Sequence, residues 1–258
     1  MTADAAHDFA GKVAIVTGGG TGVGFGVARA FARAGAHMAI AGRRKATLTH
    51  AAAAIEEASG APVLVVEADV AVEADCERIV AATLERFGAL DILVNNAARF
   101  ALVPLIEADA AEAARVLTIN VAGPLHCARA FAKWAFERGR GGAIVNISSI
   151  AGARPAPGCG LYSASKAALD MLTRSMALEW APKGMRVNAV APGHVATEGV
   201  IEDFRAGRLD EAAMLSRTPA RRIADVDDIA DAVLFLCSDR ARHIMGQVLT
   251  VDGGEGFV

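Results

Sequence analysis

Short runs of β-branched and aliphatic residues recur along this chain, each followed by a segment with helical spacing. The first run, residues 12–17 (KVAIVT), ends in glycines, and residues 22–33 then place apolar side chains on one helical face. Later runs include 91–94 (DILV), 143–147 (AIVNI) and 186–190 (RVNAV). Runs that are apolar on successive residues, not on alternate ones, belong to strands buried on both faces. Such strands alternating with helices predict a parallel sheet covered on both sides and joined by right-handed crossovers.

The remaining elements follow the same rhythm. Strands are expected at 37–41, 62–66 and 248–251, and helices at 45–58, 74–87, 110–138, 162–180 and 226–236. The helix over 110–138 is expected to break at Gly123-Pro124, because proline cannot continue the hydrogen-bond ladder. No linker and no repeat divides the chain, so residues 1–258 are read as one domain with a seven-stranded sheet. Residues 1–9 read as a loose N-terminal arm. The long stretch 198–222 mixes Val200, Ile201, Phe204, Leu209, Met214 and Leu215 with charges, and reads as an amphipathic substrate lid.

Composition excludes several classes. With 53% hydrophobic residues the chain can offset its ordering entropy, so it folds. The net charge is −3 and no basic run stands out, so neither nucleic acid nor a membrane surface is expected as a partner. Apolar stretches stop short of a membrane span, and residues 1–9 lack the apolar core of a signal peptide; a cytoplasmic protein is expected. The four cysteines, Cys76, Cys127, Cys159 and Cys237, are scattered and read as reduced thiols, with no ligand spacing for a metal.

Chemistry enters at Thr17-Gly18-Gly19-Gly20-Thr21-Gly22-Val23-Gly24, between the first strand and the first helix. Glycines there let the chain turn sharply and let a pyrophosphate reach the N–H groups at the helix start. The spacing is neither GxGxxG nor a Walker loop. In a strand–turn–helix unit opening the sheet, it predicts dinucleotide binding on a Rossmann-type doubly wound α/β fold. The second strand ends at Ala41-Gly42-Arg43-Arg44 with no carboxylate at its tip. Guanidinium donors suit a 2′-phosphate, so NADP is expected over NAD.

Tyr162 is the only tyrosine in the chain, and Lys166 lies four residues on in an expected helix. Residues at i and i+4 share a face, and an ammonium there would lower the phenol's pKa toward an acid/base usable near neutrality. YxxxK alone says little. Together with the glycine loop, Asn95-Asn96-Ala97-Ala98 and Ser148-Ser149, in this order, it resembles the short-chain dehydrogenase/reductase family over nearly the whole chain.

The resemblance implies roles residue by residue. Tyr162 would be the catalytic acid/base and Lys166 its partner, which also holds the nicotinamide ribose. Ser149, thirteen residues before the tyrosine, would hydrogen-bond the substrate oxygen, with Ser148 structural. Asn120 would prop a water that relays protons from the lysine; its other reading is a satisfied polar residue at a helix kink. The cofactor would lie against Gly18, Gly20, Thr21, Gly22, Val23 and Gly24, with Asp69 and Val70 at the adenine and Asn96, Ala97 and Ala98 lining the cleft. Ala98 stands where the family has glycine. Pro192, Gly193, Val195 and Thr197 match the PGxxxT segment that binds the carboxamide, leaving His194 structural. Homotetramers are implied, through the helices at 110–138 and 162–180. The stripe Ala168, Met171, Leu172, Ser175 and Leu178 fits such an interface and equally fits burial on the sheet.

The expected function is NAD(P)(H)-dependent hydride transfer between nicotinamide and a ketone or secondary alcohol. A 3-oxoacyl-thioester (acyl carrier protein) reductase and a non-catalytic dinucleotide-binding sensor are the alternatives. The substrate pocket is expected between residues 99–105, 154–161 and the lid, where Arg99 or Arg154 could meet an anionic group or simply face solvent.

Overall fold

The computed structural model describes residues 9–207 and 209–257. Its centre is a seven-stranded, wholly parallel sheet in the order β3-β2-β1-β4-β5-β6-β7. The strands are β1 (Val13–Thr17), β2 (His37–Gly42), β3 (Val63–Glu67), β4 (Ile92–Asn95), β5 (Gly142–Ile147), β6 (Met185–Pro192) and β7 (Val248–Val251). All seven lie where the apolar runs predict them. β1 is buried at every residue, as doubly covered strands require.

Helices α1 (Gly22–Arg33), α2 (Lys45–Ser59) and α9 (Val226–Cys237) cover one face, where Phe31, Ile40, Ile55 and Val233 are sealed from solvent. Helices α3 (Glu73–Phe87), α5 (Gly123–Glu137) and α6 (Gly160–Trp180) cover the other, around Ile79, Leu93, Phe131 and Ile144. Burial of these side chains at about 25 cal/mol per Å² of apolar surface is the main driving force of the fold. The chain winds β1-β2-β3 outward, then returns to the other side of β1 with β4. That reversal opens a crevice beyond the carboxyl ends of β1 and β4, the ligand position in sheets of this kind.

Three expectations are corrected. The helical segment at 110–138 does break, but at 118–122 and not at Gly123-Pro124. Helix α4 (Ala110–Leu117) passes into a π-turn, Thr118–Ala122, and α5 then starts with Pro124 in its first turn. Pro124 is tolerated there because it has no N–H to donate and the first turn of a helix needs none. Residues 198–222, where no separate helix is expected, contain two short ones, α7 (Glu198–Arg205) and α8 (Glu211–Arg217), capped by Thr197 and Asp210. Phe9, assigned to the loose arm, is buried edge-on against Phe31 at 5.0 Å; residues 1–8 lie outside the described residues. No helix among the described residues is long and apolar enough to cross a membrane.

Candidate active site

The glycine loop sits at the sheet reversal and is tied to β4 from below. Gly18 has φ +65°, and its N–H donates to the Ala41 carbonyl at 2.7 Å. The Thr17 hydroxyl accepts from the N–H groups of Asn96 and Ala97 at 3.0 and 3.1 Å. The Asn96 side chain donates in turn to the carbonyls of Thr17 and Gly18, at 3.0 and 3.2 Å. Space is the reason for glycine at 24: a Cβ there would lie 2.3 Å from both the Gly18 carbonyl oxygen and Asn96 Nδ2.

A cleft of about 430 Å³ opens over this loop. Its walls include Gly18, Gly20, Thr21, Arg43, Arg44, Asp69, Val70 and the segment from Asn96 to Phe100. Asp69 is oriented by its own turn, its Oδ1 accepting the Ala71 N–H at 3.0 Å. A backbone cradle that side chains would fill, with two guanidiniums across from it, fits a phosphate-bearing dinucleotide. Gly24→Val is therefore expected to weaken NADPH binding by more than about tenfold, ~1.4 kcal/mol, by forcing the loop from Asn96. Fluorescence titration checks this, with circular dichroism to show that the variant folds; unchanged affinity would remove the loop as the phosphate seat.

On the far side of β4, the π-turn swings Asn120 into the interior, where it is 1% exposed. Its Oδ1 accepts the Arg99 N–H at 2.7 Å, and its Nδ2 donates to the Arg99 carbonyl at 3.0 Å and to Ser165 Oγ at 2.9 Å. Ser165 Oγ donates to the Tyr162 carbonyl at 2.7 Å. Asn120 thus fastens the first turn of α6, which carries the tyrosine, to the cleft wall. The satisfied-kink reading of Asn120 is met in full.

Tyr162 is half-buried in that first turn. Lys166 is 2% exposed, donates to the Ile147 carbonyl at 2.7 Å and lies 5.5 Å from the centre of the Tyr162 ring. Burial pushes the Lys166 pKa down to about 8, opposed by the charge of Asp170. The phenol is not lowered as the sequence predicts. Burial raises it above the ordinary phenol range, opposed by the Ser149 hydroxyl, with Cys159 adding to the rise. The expectation fails because it counted the ammonium and not the loss of water around both groups. Ser149 follows β5, and its Oγ also accepts the Ala151 N–H at 3.1 Å.

Sequence reasoning missed several residues here. Asp170, one turn beyond Lys166, is 7% exposed and has its carboxyl pKa raised by burial. A charged residue in the apolar-facing row of α6 was the available signal. Asn95 donates to Asn146 at 2.9 Å and Asn146 to Thr173 at 2.8 Å, a buried polar ladder from β4 to α6. The two arginines near the pocket each have a protein partner, Arg99 while partly exposed and Arg154 while exposed. Arg99 makes a two-pronged ion pair with Glu112 at 2.7 and 2.9 Å, and Arg154 donates to the Glu255 carbonyl at 3.1 Å.

The segment after β6 closes the site from above. Pro192 ends that strand and Gly193 packs on Asp252. Val195 bridges to Ala224, and the His194 ring meets the Glu255 carboxylate at 2.8 Å. The Thr197 hydroxyl caps α7, accepting the Val200 N–H at 3.4 Å, while its methyl faces Gly22 of the loop.

This arrangement sets a cleft with a phosphate-fitting loop near a serine, a phenol and a buried amine, joined to them through Phe100, equipment for moving a hydride and a proton together. Comparison with known proteins agrees. A family model described as enoyl-(acyl carrier protein) reductase matches residues 18–255. Galactitol 2-dehydrogenase (L-tagatose-forming) of Cereibacter sphaeroides is 40% identical over 247 residues, covering 95% of this chain and 94% of that protein. Sorbitol dehydrogenase of the same organism is 38% identical over 253 residues, covering 95% and 97%. The crystal structure of L-sorbose reductase from Gluconobacter frateurii, complexed with NADPH and L-sorbose, superposes with a TM-score of 0.91 at 31% identity, covering 98% of this chain and 99% of that one. By class, then, the protein is a nicotinamide-dependent oxidoreductase of alcohols and ketones. The chain belongs to the short-chain dehydrogenase/reductase family.

Proposed function

We propose that this enzyme is a cytoplasmic, NADP(H)-preferring carbonyl reductase and alcohol dehydrogenase in which Tyr162 is the acid/base. The observation that carries the reading is the half-buried Tyr162 phenol next to Ser149, with the buried Lys166 ammonium 5.5 Å from the centre of its ring. The bound cofactor supplies or accepts a hydride. Ser149 and the Tyr162 hydroxyl hold the substrate oxygen, and the phenol gives its proton to that oxygen as charge builds there. A phenol kept neutral by burial is the acid that reduction requires at neutral pH. Lys166 has two N–H donors beyond the one on Ile147, which the family resemblance assigns to the nicotinamide ribose. Asn120 positions the catalytic turn through Ser165. Val195 and Thr197 serve the carboxamide, and α7 and α8 cover the substrate.

The preference for NADP rests on Arg43 and Arg44, which line the cleft where β2 gives way to α2. Their fork-shaped donors match a phosphate dianion. The ratio of kcat/KM for NADPH to that for NADH is expected to exceed about tenfold, and Arg43→Ala to erase most of it, since a charge-assisted contact contributes roughly 1.5–3 kcal/mol. A preference for NADH that Arg43→Ala leaves untouched would overturn the assignment.

Assembly into a homotetramer is supported by α6, where Met171 is 58% and Leu178 81% exposed. Large apolar side chains in the open on one helix suit an interface. The residues of α6 that face the sheet are others, among them Leu169, Thr173 and Met176.

A further inference from the structure

The walls around Tyr162 carry information about the substrate. Phe100 lines the cleft and packs edge-on against the Tyr162 ring, with centroids 5.1 Å apart and an interplanar angle of 70°. It is nonetheless 60% exposed. Aromatic surface left open beside a reactive hydroxyl is surface kept for a ligand. The same segment carries Leu102 and Leu105, 69% and 66% exposed.

This segment is not a loose loop. The Val103 N–H donates to the Gly158 carbonyl at 2.7 Å, binding it to the strip just before α6. Leu102 and Leu105 occupy the space that Cβ atoms at Gly158 and Gly160 would need, at 3.0 and 2.6 Å. Glycine at those two positions lets hydrocarbon close over the approach to Tyr162. The polar groups nearby face one another instead: Arg99 with Glu112, Arg154 with the Glu255 carbonyl, and His194 with the Glu255 carboxylate.

We infer that Phe100 is a specificity-determining residue, and that it selects a ketone flanked by hydrocarbon, aryl or alicyclic, over the polyols and ketoses for which several relatives are named. A hexose chain bears a hydroxyl on nearly every carbon, and each one laid on this wall loses water without gaining a partner. A flat hydrocarbon flank buries the exposed ring and leucines instead. The inference rests on Tyr162 as the group that meets the carbonyl.

The test compares acetophenone and cyclohexanone with L-sorbose as NADPH-linked substrates of the full-length enzyme. Wild type is expected to favour the apolar ketones by about tenfold or more in kcat/KM. Phe100→Ala should cut that ratio about tenfold, mainly through KM, and Phe100→Leu should restore part of it. A wild type that prefers L-sorbose, or a ratio that Phe100→Ala leaves unchanged, overturns the inference. If no ketone turns over, the acid/base reading has failed. Equilibrium binding to the NADPH complex then decides the wall by itself: tighter binding of acetophenone supports it, and tighter binding of L-sorbose overturns it.

Discussion

Tyr162→Phe is expected to lower kcat by about 10²- to 10⁴-fold, the range that a positioned proton donor contributes, with NADPH affinity unchanged. The substitution removes one oxygen and keeps the ring, so the edge-on contact with Phe100 at 5.1 Å survives. The Asn120–Ser165 tether also survives, because it grips the Tyr162 backbone carbonyl and not the phenol. What is lost is the proton donor and one of the two hydroxyls that hold the substrate oxygen. Because burial raises the phenol's pKa, reduction in the wild type should hold steady through neutral pH. Oxidation of the alcohol, which needs the phenolate, should climb as pH rises. Steady-state rates in both directions across pH, with cofactor titration of the variant, check this. Near-normal turnover in Tyr162→Phe, or an oxidation rate indifferent to pH, would end the case for Tyr162 as the acid/base.

Much of this was legible before any coordinates. Parallel strands announce themselves as unbroken apolar runs, even at the sheet edges, where β3 and β7 are only partly buried. The glycine loop was legible because its packing depends on the absence of side chains, which a sequence states directly. Other features depend on what the fold brings near. The π-turn at Asn120 has no periodicity of its own, and the visible breaker, Pro124, lies just beyond it. Helices α7 and α8 hold eight and seven residues, too few for a period to emerge from a charged background. The fate of Arg99 was settled by Glu112, thirteen residues along the chain and on α4. The phenol's pKa failed for the same reason: i, i+4 spacing reveals a neighbouring charge, but only the packed structure reveals how much water both groups have lost.

Lys166 makes the strongest case that this site works against the stability of the fold. Its amine is 2% exposed, and its pKa falls from 10.5 to about 8. That difference corresponds to roughly 3 kcal/mol at neutral pH, set against folding. The sign follows from proton counting. Between about pH 8 and 10.5 the unfolded chain holds a proton that the folded one has released, so stability rises with pH across that window. Below about pH 8 the full penalty is present. Lys166→Met keeps the apolar stem and removes the charge, so it should stabilise the protein at pH 7. The gain should be about 1–2 kcal/mol and not the full amount, because Asp170 loses the cation that favours its ionised form. The gain should shrink as pH rises from about 8 through 10.5 and vanish only above that range, where the wild-type amine is neutral in both states. Activity should fall by orders of magnitude, since the proposed ribose contacts and the charge beside Tyr162 go together. Urea unfolding of both proteins at pH 7, 8.5 and 10 measures the effect. A variant less stable than wild type at pH 7, or a difference that does not change with pH, would show that the buried ammonium is a structural asset and not a cost accepted for catalysis.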